Sequence, residues 1–91
     1  MNKILRSVVA AGKAAAFFVA VRDEFVRVIE DHGEHYHSAH EGWAVMFEEV
    51  DELWDEVRKK RKNRDPKAMY TECVQIACCA LKFALTFGKE P

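Results

Sequence analysis

An all-α fold, three helices running antiparallel in succession, is what this sequence predicts. Three observations point to it. Apolar residues recur at helical spacing over three long stretches, no stretch alternates with the period of two that a strand needs, and capping residues punctuate the joins.

Ninety-one residues make one domain, 1–91. A chain this short buries only about 60–65% of its unfolded surface, so a lone core is marginal. Hydrophobic residues at 49% are too many for a disordered chain. With 14 basic and 15 acidic residues the net charge is −1, so no global field argues for a nucleic-acid partner. Three cysteines, Cys78 and Cys79 adjacent, do not form a disulfide framework; a reducing, cytoplasmic setting is expected.

The first helix is predicted from about Asn2 to Asp31. Ile4, Leu5, Val8, Val9, Ala16, Phe17, Val21, Phe25, Val28 and Ile29 recur at helical spacing. Gly12 in its interior predicts a kink or a close packing contact. Lys3 and Arg6 precede the apolar run Val8 to Val21, which has some signal-peptide flavour. Lys13 interrupts that run, and it passes into Arg22-Asp23-Glu24 with unbroken periodicity. It is also shorter than a bilayer span. An ordinary helix and no membrane partner are expected.

Asp31 to Gly42 reads as the linker, with all four histidines: His32, His35, His37 and His40. Ser38 is a good N-cap, and Glu41 three residues on completes a capping box. The second helix is predicted from about Ala39 to Lys60. Its apolar residues are Trp43, Met46, Phe47, Val50, Leu53, Trp54 and Val57. The basic run Arg58 to Lys62 suits the negative end of its dipole. Asp65 is an N-cap with Pro66 at the first helical position. The third helix is then predicted from Pro66 to Phe87, stopped by Gly88. Its predicted apolar face is Met69, Cys73, Ile76, Ala80, Phe83 and Phe87.

The chemistry concentrates in Glu48-Glu49-Val50-Asp51-Glu52-Leu53-Trp54-Asp55-Glu56, six acidic residues in nine positions. Residues three and four apart are neighbours on a helix, so Glu49, Glu52 and Glu56 project together, with Glu48, Asp51 and Asp55 beside them. On an arbitrary acidic helix such a stripe is a solvated face. Here helix three adds Glu72 and Gln75, spaced i, i+3 inside an apolar run, where a carboxylate is costly unless paired or bound to a cation. A short turn joins helices two and three, so Glu49 and Glu52 are expected to face Glu72 and Gln75. Four oxygen ligands suit Mg²⁺, or Mn²⁺, rather than zinc.

At these residues the sequence resembles the MazG-like all-α nucleoside triphosphate pyrophosphohydrolases, whose signature is E-E-x-x-E followed after a spacer by E-x-x-D. Glu48-Glu49-Val50-Asp51-Glu52 fits the first half. After a spacer of nineteen residues, Glu72-Cys73-Val74-Gln75 fits the second except at its last position. The resemblance covers residues 38–86. It implies cleavage of NTPs and dNTPs between the α and β phosphates, giving a monophosphate and pyrophosphate. It also implies that Glu49, Glu52, Glu72 and Gln75 hold the metal, with Glu48 or Glu56 orienting water or a second ion. Gln75 keeps an amide oxygen for a hard cation but removes one negative charge. Lys82, seven positions after Gln75 and so on the same face, is a candidate for meeting the triphosphate. Trp43, Tyr36 and Phe25 are candidates for stacking on a base.

Other constellations are weaker. The histidines have metal-like spacing, but the segment is glycine-flanked and polar and reads as a loop. Glu34-His35-Tyr36-His37 matches the E-x-x-H of di-iron bundles, yet no second copy exists. Cys73, Cys78 and Cys79 read as small core residues. Apolar faces on helices one and three cannot cover the acidic groove alone, so a homodimer or homotetramer completing a four-helix bundle is expected, which the resemblance also implies. The competing functions are a non-catalytic nucleotide- or metal-binding homologue and a purely structural helical interaction module.

Overall fold

The structure is a computed structural model that describes residues 2–91. It contains α1 (Lys3–His32), α2 (Ala39–Val57), a short 3₁₀ turn (Arg61–Asn63) and α3 (Pro66–Phe87), with no strand among the described residues. The expected helices are present, and α3 has the expected bounds. Asn2 caps α1 by accepting a hydrogen bond from the Leu5 N–H at 2.8 Å. Gly33, at φ +85°, ends it in a conformation that side chains disfavour. Ser38 accepts from the Glu41 N–H, and the Glu41 carboxylate reaches back to the His37 N–H, one residue beyond the usual capping box. Asp65 caps α3 through the Lys67 N–H.

Two expectations about the helices are corrected. α2 stops at Val57 rather than Lys60. The Arg64 Nε donates to the Val57 carbonyl at 2.8 Å, so the turn that follows satisfies the helix end. Gly12 lies in an unbroken helix, and a Cβ there would meet nothing within 4 Å, so no close contact explains it.

The helix directions follow from the contacts. Gly42 meets Phe83 at one end of the α2–α3 pair, Glu56 meets Asp65 at the other, and Glu49 meets Glu72 between them. α2 and α3 are therefore antiparallel. α1 runs parallel to α3, with Phe17 edge-on to Tyr70 at 5.6 Å and Glu24 against Gln75. α3 is the hub: α1 and α2 each pack on it and make almost no direct contact with each other. Val21, Val74 and Cys78 form the buried centre, with Phe17, Ala20, Phe25, Val28, Ala77 and Leu81 packed around them.

This hub role corrects the predicted face of α3. Val74, Cys78, Cys79 and Lys82 are buried, whereas Cys73 and Ala80 are exposed. A helix flanked on two sides is apolar over most of its circumference, so periodicity alone does not locate its innermost line. α1 departs further. Residues 2–16 are exposed on every side, including Ile4, Leu5, Val8 and Val9. Because the apolar run continues into a 30-residue helix, α1 is long and apolar enough to cross a membrane by length and composition, and so is α3. The expectation that the run is too short to span therefore does not hold.

Gly42 sits within α2, not in the linker, where a Cβ would lie 2.8 Å from ring atoms of both Phe83 and Tyr36. Alanine is the better helix former by about 1 kcal/mol. Wedging a methyl between two packed rings costs about 1–3 kcal/mol. Gly42→Ala is therefore expected to lower stability on balance, measured as a lower denaturant midpoint with an unchanged slope.

Candidate functional site

Antiparallel packing of α2 on α3 brings the sequence-predicted carboxylates together. One carboxylate oxygen from each of Glu49, Glu52 and Glu72 lies within 4.8 Å of the others. Among the described residues this is the one such grouping of potential metal ligands. Glu52 is exposed, and Glu49 and Glu72 are half-buried. The Oε2 of Glu72 is fully buried and has no hydrogen-bond partner. A buried, unpartnered carboxylate oxygen costs about 1–3 kcal/mol or more, so this atom is primed for a positive ligand. Burial, together with the Glu72 and Glu52 carboxylates beside it, pushes Glu49 up to about 7.

A cavity of about 570 Å³ adjoins the triad. It is the wedge between α1 and α2, floored by α3. Glu24, Arg27, Asp31 and His32 line it from α1, His35, Tyr36 and His37 from the linker, and Glu41, Val45 and Glu49 from α2. Gln75, Cys78, Cys79 and Lys82 line the floor. That volume suits a nucleotide-sized molecule.

Lys82 is only 4% exposed, and its ammonium sits 4.6 Å above the Tyr36 ring. No carboxylate among the described residues pairs with it. The cation–π contact offsets part of the cost of burial and leaves the positive charge free to meet an anion in the cavity. Burial pushes the Cys78 thiol up to about 11 and raises Cys79 as well, so both remain protonated packing residues.

Gln75 lines the floor of the same cavity as Glu49 and lies against Glu24 of α1. Glu24 also binds Arg27, which holds its carboxyl below the ordinary carboxylate value, with Gln75 contributing in the same direction. A carboxylate from another helix, itself paired with Arg27, thus lies beside Gln75. Sequence reasoning passed over Glu24 because Arg22-Asp23-Glu24 reads as a polar step. Its spacing from Val21 and Val28, three back and four on, was the available signal.

Three expected site residues lie elsewhere. Glu56 is buried at the α2–α3 turn, where it accepts from the Asp65 N–H at 2.6 Å and the Lys59 ammonium at 2.8 Å. Those donors hold its pKa down, Lys59 foremost. Its carboxylate ties the end of α2 to the turn before α3 and lies outside the triad. Glu48 is exposed, outside the triad. Trp43 is exposed on the outer side of α2 beside Phe47 and does not line the cavity; Tyr36 does. Glu56→Gln is expected to lower the thermal midpoint above pH 5. The loss shrinks as pH falls, because a carboxylate with a depressed folded pKa stabilises only above its ordinary titration range. Its metal response should be unchanged.

No family model matches the chain, and neither a characterised protein nor a solved structure is significantly similar to it.

Proposed function

We propose that the protein is a Mg²⁺-dependent nucleoside triphosphate pyrophosphohydrolase of the MazG-like kind, acting in the cytoplasm. The observation that carries this reading is the buried, partnerless Oε2 of Glu72 held against Glu49 and Glu52 at the edge of a nucleotide-sized cavity. Three oxygen donors with a deficit of positive charge fit a hard divalent ion better than a soft one.

In this reading Glu49, Glu52 and Glu72 hold the ion, and Gln75, on α3 with Glu72, would add its amide oxygen as a fourth ligand. A bound divalent ion would screen the α and β phosphates and lower the pKa of the attacking water. Lys82 and Arg27 approach the polyphosphate from the floor and one wall, which neutralises charge on the leaving pyrophosphate. Tyr36 closes the far side and excludes water from Lys82. Glu24, paired with Arg27, lies beside Gln75 from α1.

Incubation with each NTP and dNTP plus Mg²⁺ or Mn²⁺ tests the proposal. Release of pyrophosphate together with the matching monophosphate is the expected result, and release of inorganic phosphate alone would contradict it. A second reading, a nucleotide- or metal-binding homologue without turnover, is favoured by Gln75. It predicts metal-dependent thermal stabilisation with no pyrophosphate from any nucleotide.

A further inference from the structure

A net charge of −1 conceals a strong segregation of charge. Residues 2–17 and 55–67 hold ten of the 14 lysines and arginines, with only Asp55, Glu56 and Asp65 against them. The two stretches lie at one end of the molecule. α1 is parallel to α3 and Phe17 meets Tyr70, so α1 runs past the first residue of α3 by about ten residues, or ~15 Å. The turn that joins α2 to α3 sits at that same end.

Lys13, Arg6 and Lys3 precede Phe17 by 4, 11 and 14 positions, so they continue the line of α1 that packs on α3 further along. All three are exposed. They point away from Ile4, Leu5 and Val8, toward the side of α1 on which α3 and the turn before it lie. The three carboxylates at this end are already engaged. Asp55 pairs with Arg58, Glu56 takes the Lys59 ammonium and the Asp65 N–H, and Asp65 caps α3. Lys60, Arg61, Lys62 and Lys67, with the three cations of α1, pair with no carboxylate among the described residues. The dipole of α2 does not account for them. Its field falls off within about a turn, and Arg58 and Lys59 already follow the helix end at Val57.

We propose that this cationic end binds the phosphate backbone of a nucleic-acid duplex without regard to sequence. A duplex carries one negative charge per ~1.7 Å of its axis, so its backbone can meet the projecting half of α1 and the turn together. No aromatic residue occurs at 2–16 or 58–67, so the surface offers no platform for stacking unpaired bases. An anionic bilayer fits less well: laying Ile4, Leu5 and Val8 on it would turn Lys3, Arg6 and Lys13 away from the headgroups. The assignment goes beyond the proposed activity and does not rest on it, since none of these cations lines the cavity or belongs to the triad.

Fluorescence anisotropy of short end-labelled DNA and RNA duplexes, each in two unrelated sequences, tests it. With about six phosphates neutralised, affinity should fall about 10³-fold between 50 and 200 mM salt, alike for both sequences. Lys60→Gln/Arg61→Gln/Lys62→Gln and Lys3→Gln/Arg6→Gln/Lys13→Gln should each weaken binding at least tenfold at the lower salt. Each should also lower the slope of log affinity against log salt by about 3. Arg22→Gln/Lys89→Gln, which removes charge elsewhere, should change neither quantity. Circular dichroism checks that the variants keep their helices. If one triple variant does not, the other and the salt dependence of the unaltered chain decide the outcome. Binding to neither duplex at the lower salt, an affinity indifferent to salt, or a folded triple variant that binds like the parent overturns the proposal. So does capture by phosphatidylserine vesicles without binding to a duplex.

Discussion

Glu72→Ala is expected to reduce metal-dependent pyrophosphate release by about 10³-fold or more, on the scale of several kcal/mol that a metal-held charge contributes to such a transition state. Glu49 and Glu52 share one helix; Glu72 alone makes the site span two. Its removal leaves two carboxylates on α2 with nothing opposite. The same substitution deletes a buried oxygen that has no partner and relieves repulsion on Glu49. Metal-free stability should therefore rise, by about 1 kcal/mol. Loss of turnover with gain of stability separates a site role from folding damage. Turnover and thermal midpoint in EDTA, measured on one sample, read both signs. A variant that hydrolyses nucleotides as well as the parent would end the proposed function.

The second expected result concerns pH. Glu49 titrates at about 7 in the folded chain against an ordinary value of 4.5. Between those values the folded state holds more protons than the unfolded state, so stability falls as pH rises. With solvent screening at a half-buried group, the loss is about 1–2 kcal/mol. The metal-free midpoint should therefore drop by roughly 5–10 °C between pH 5 and pH 8. Glu24 and Glu56, both held down by basic partners, act oppositely below the ordinary carboxylate range, so the metal-free optimum lies near pH 5. Mg²⁺ reverses the trend at the high end, because it binds the deprotonated triad. At a concentration of 100 times Kd it should restore about 2.7 kcal/mol at pH 8 and much less at pH 5. Thermal unfolding with and without Mg²⁺ at the two pH values measures this. Equal Mg²⁺ shifts at both would show that the ion does not use Glu49.

What the sequence disclosed depended on the range of the physics involved. The caps at Ser38 and Asp65 are local hydrogen bonds, and they fix the starts of α2 and α3 where expected. The meeting of Glu49, Glu52 and Glu72 needed only two helical periods and one short turn. Glu24 was legible only as an inward-facing position, from its spacing to Val21 and Val28; its neighbour Gln75 is 51 positions away, and nothing local ties α1 to α3 in parallel. Trp43 misled for a related reason: an aromatic at helical spacing on α2 looks the same whether it faces the cavity or the outside. Glu56 belongs to the same acidic periodicity as Glu49 and Glu52, yet it lies one turn nearer the loop and is claimed by the Asp65 N–H.

The two arms that stand on α3 lack a crossbeam. Since α1 and α2 scarcely touch, the angle between them is held only where each is rooted on the hub. A polyanion reaching from Arg27 on one arm across to Lys82 and, through a divalent cation, to the acidic corner beneath the other would itself serve as the tie. Loading the cleft and stiffening the whole protomer would then be a single event.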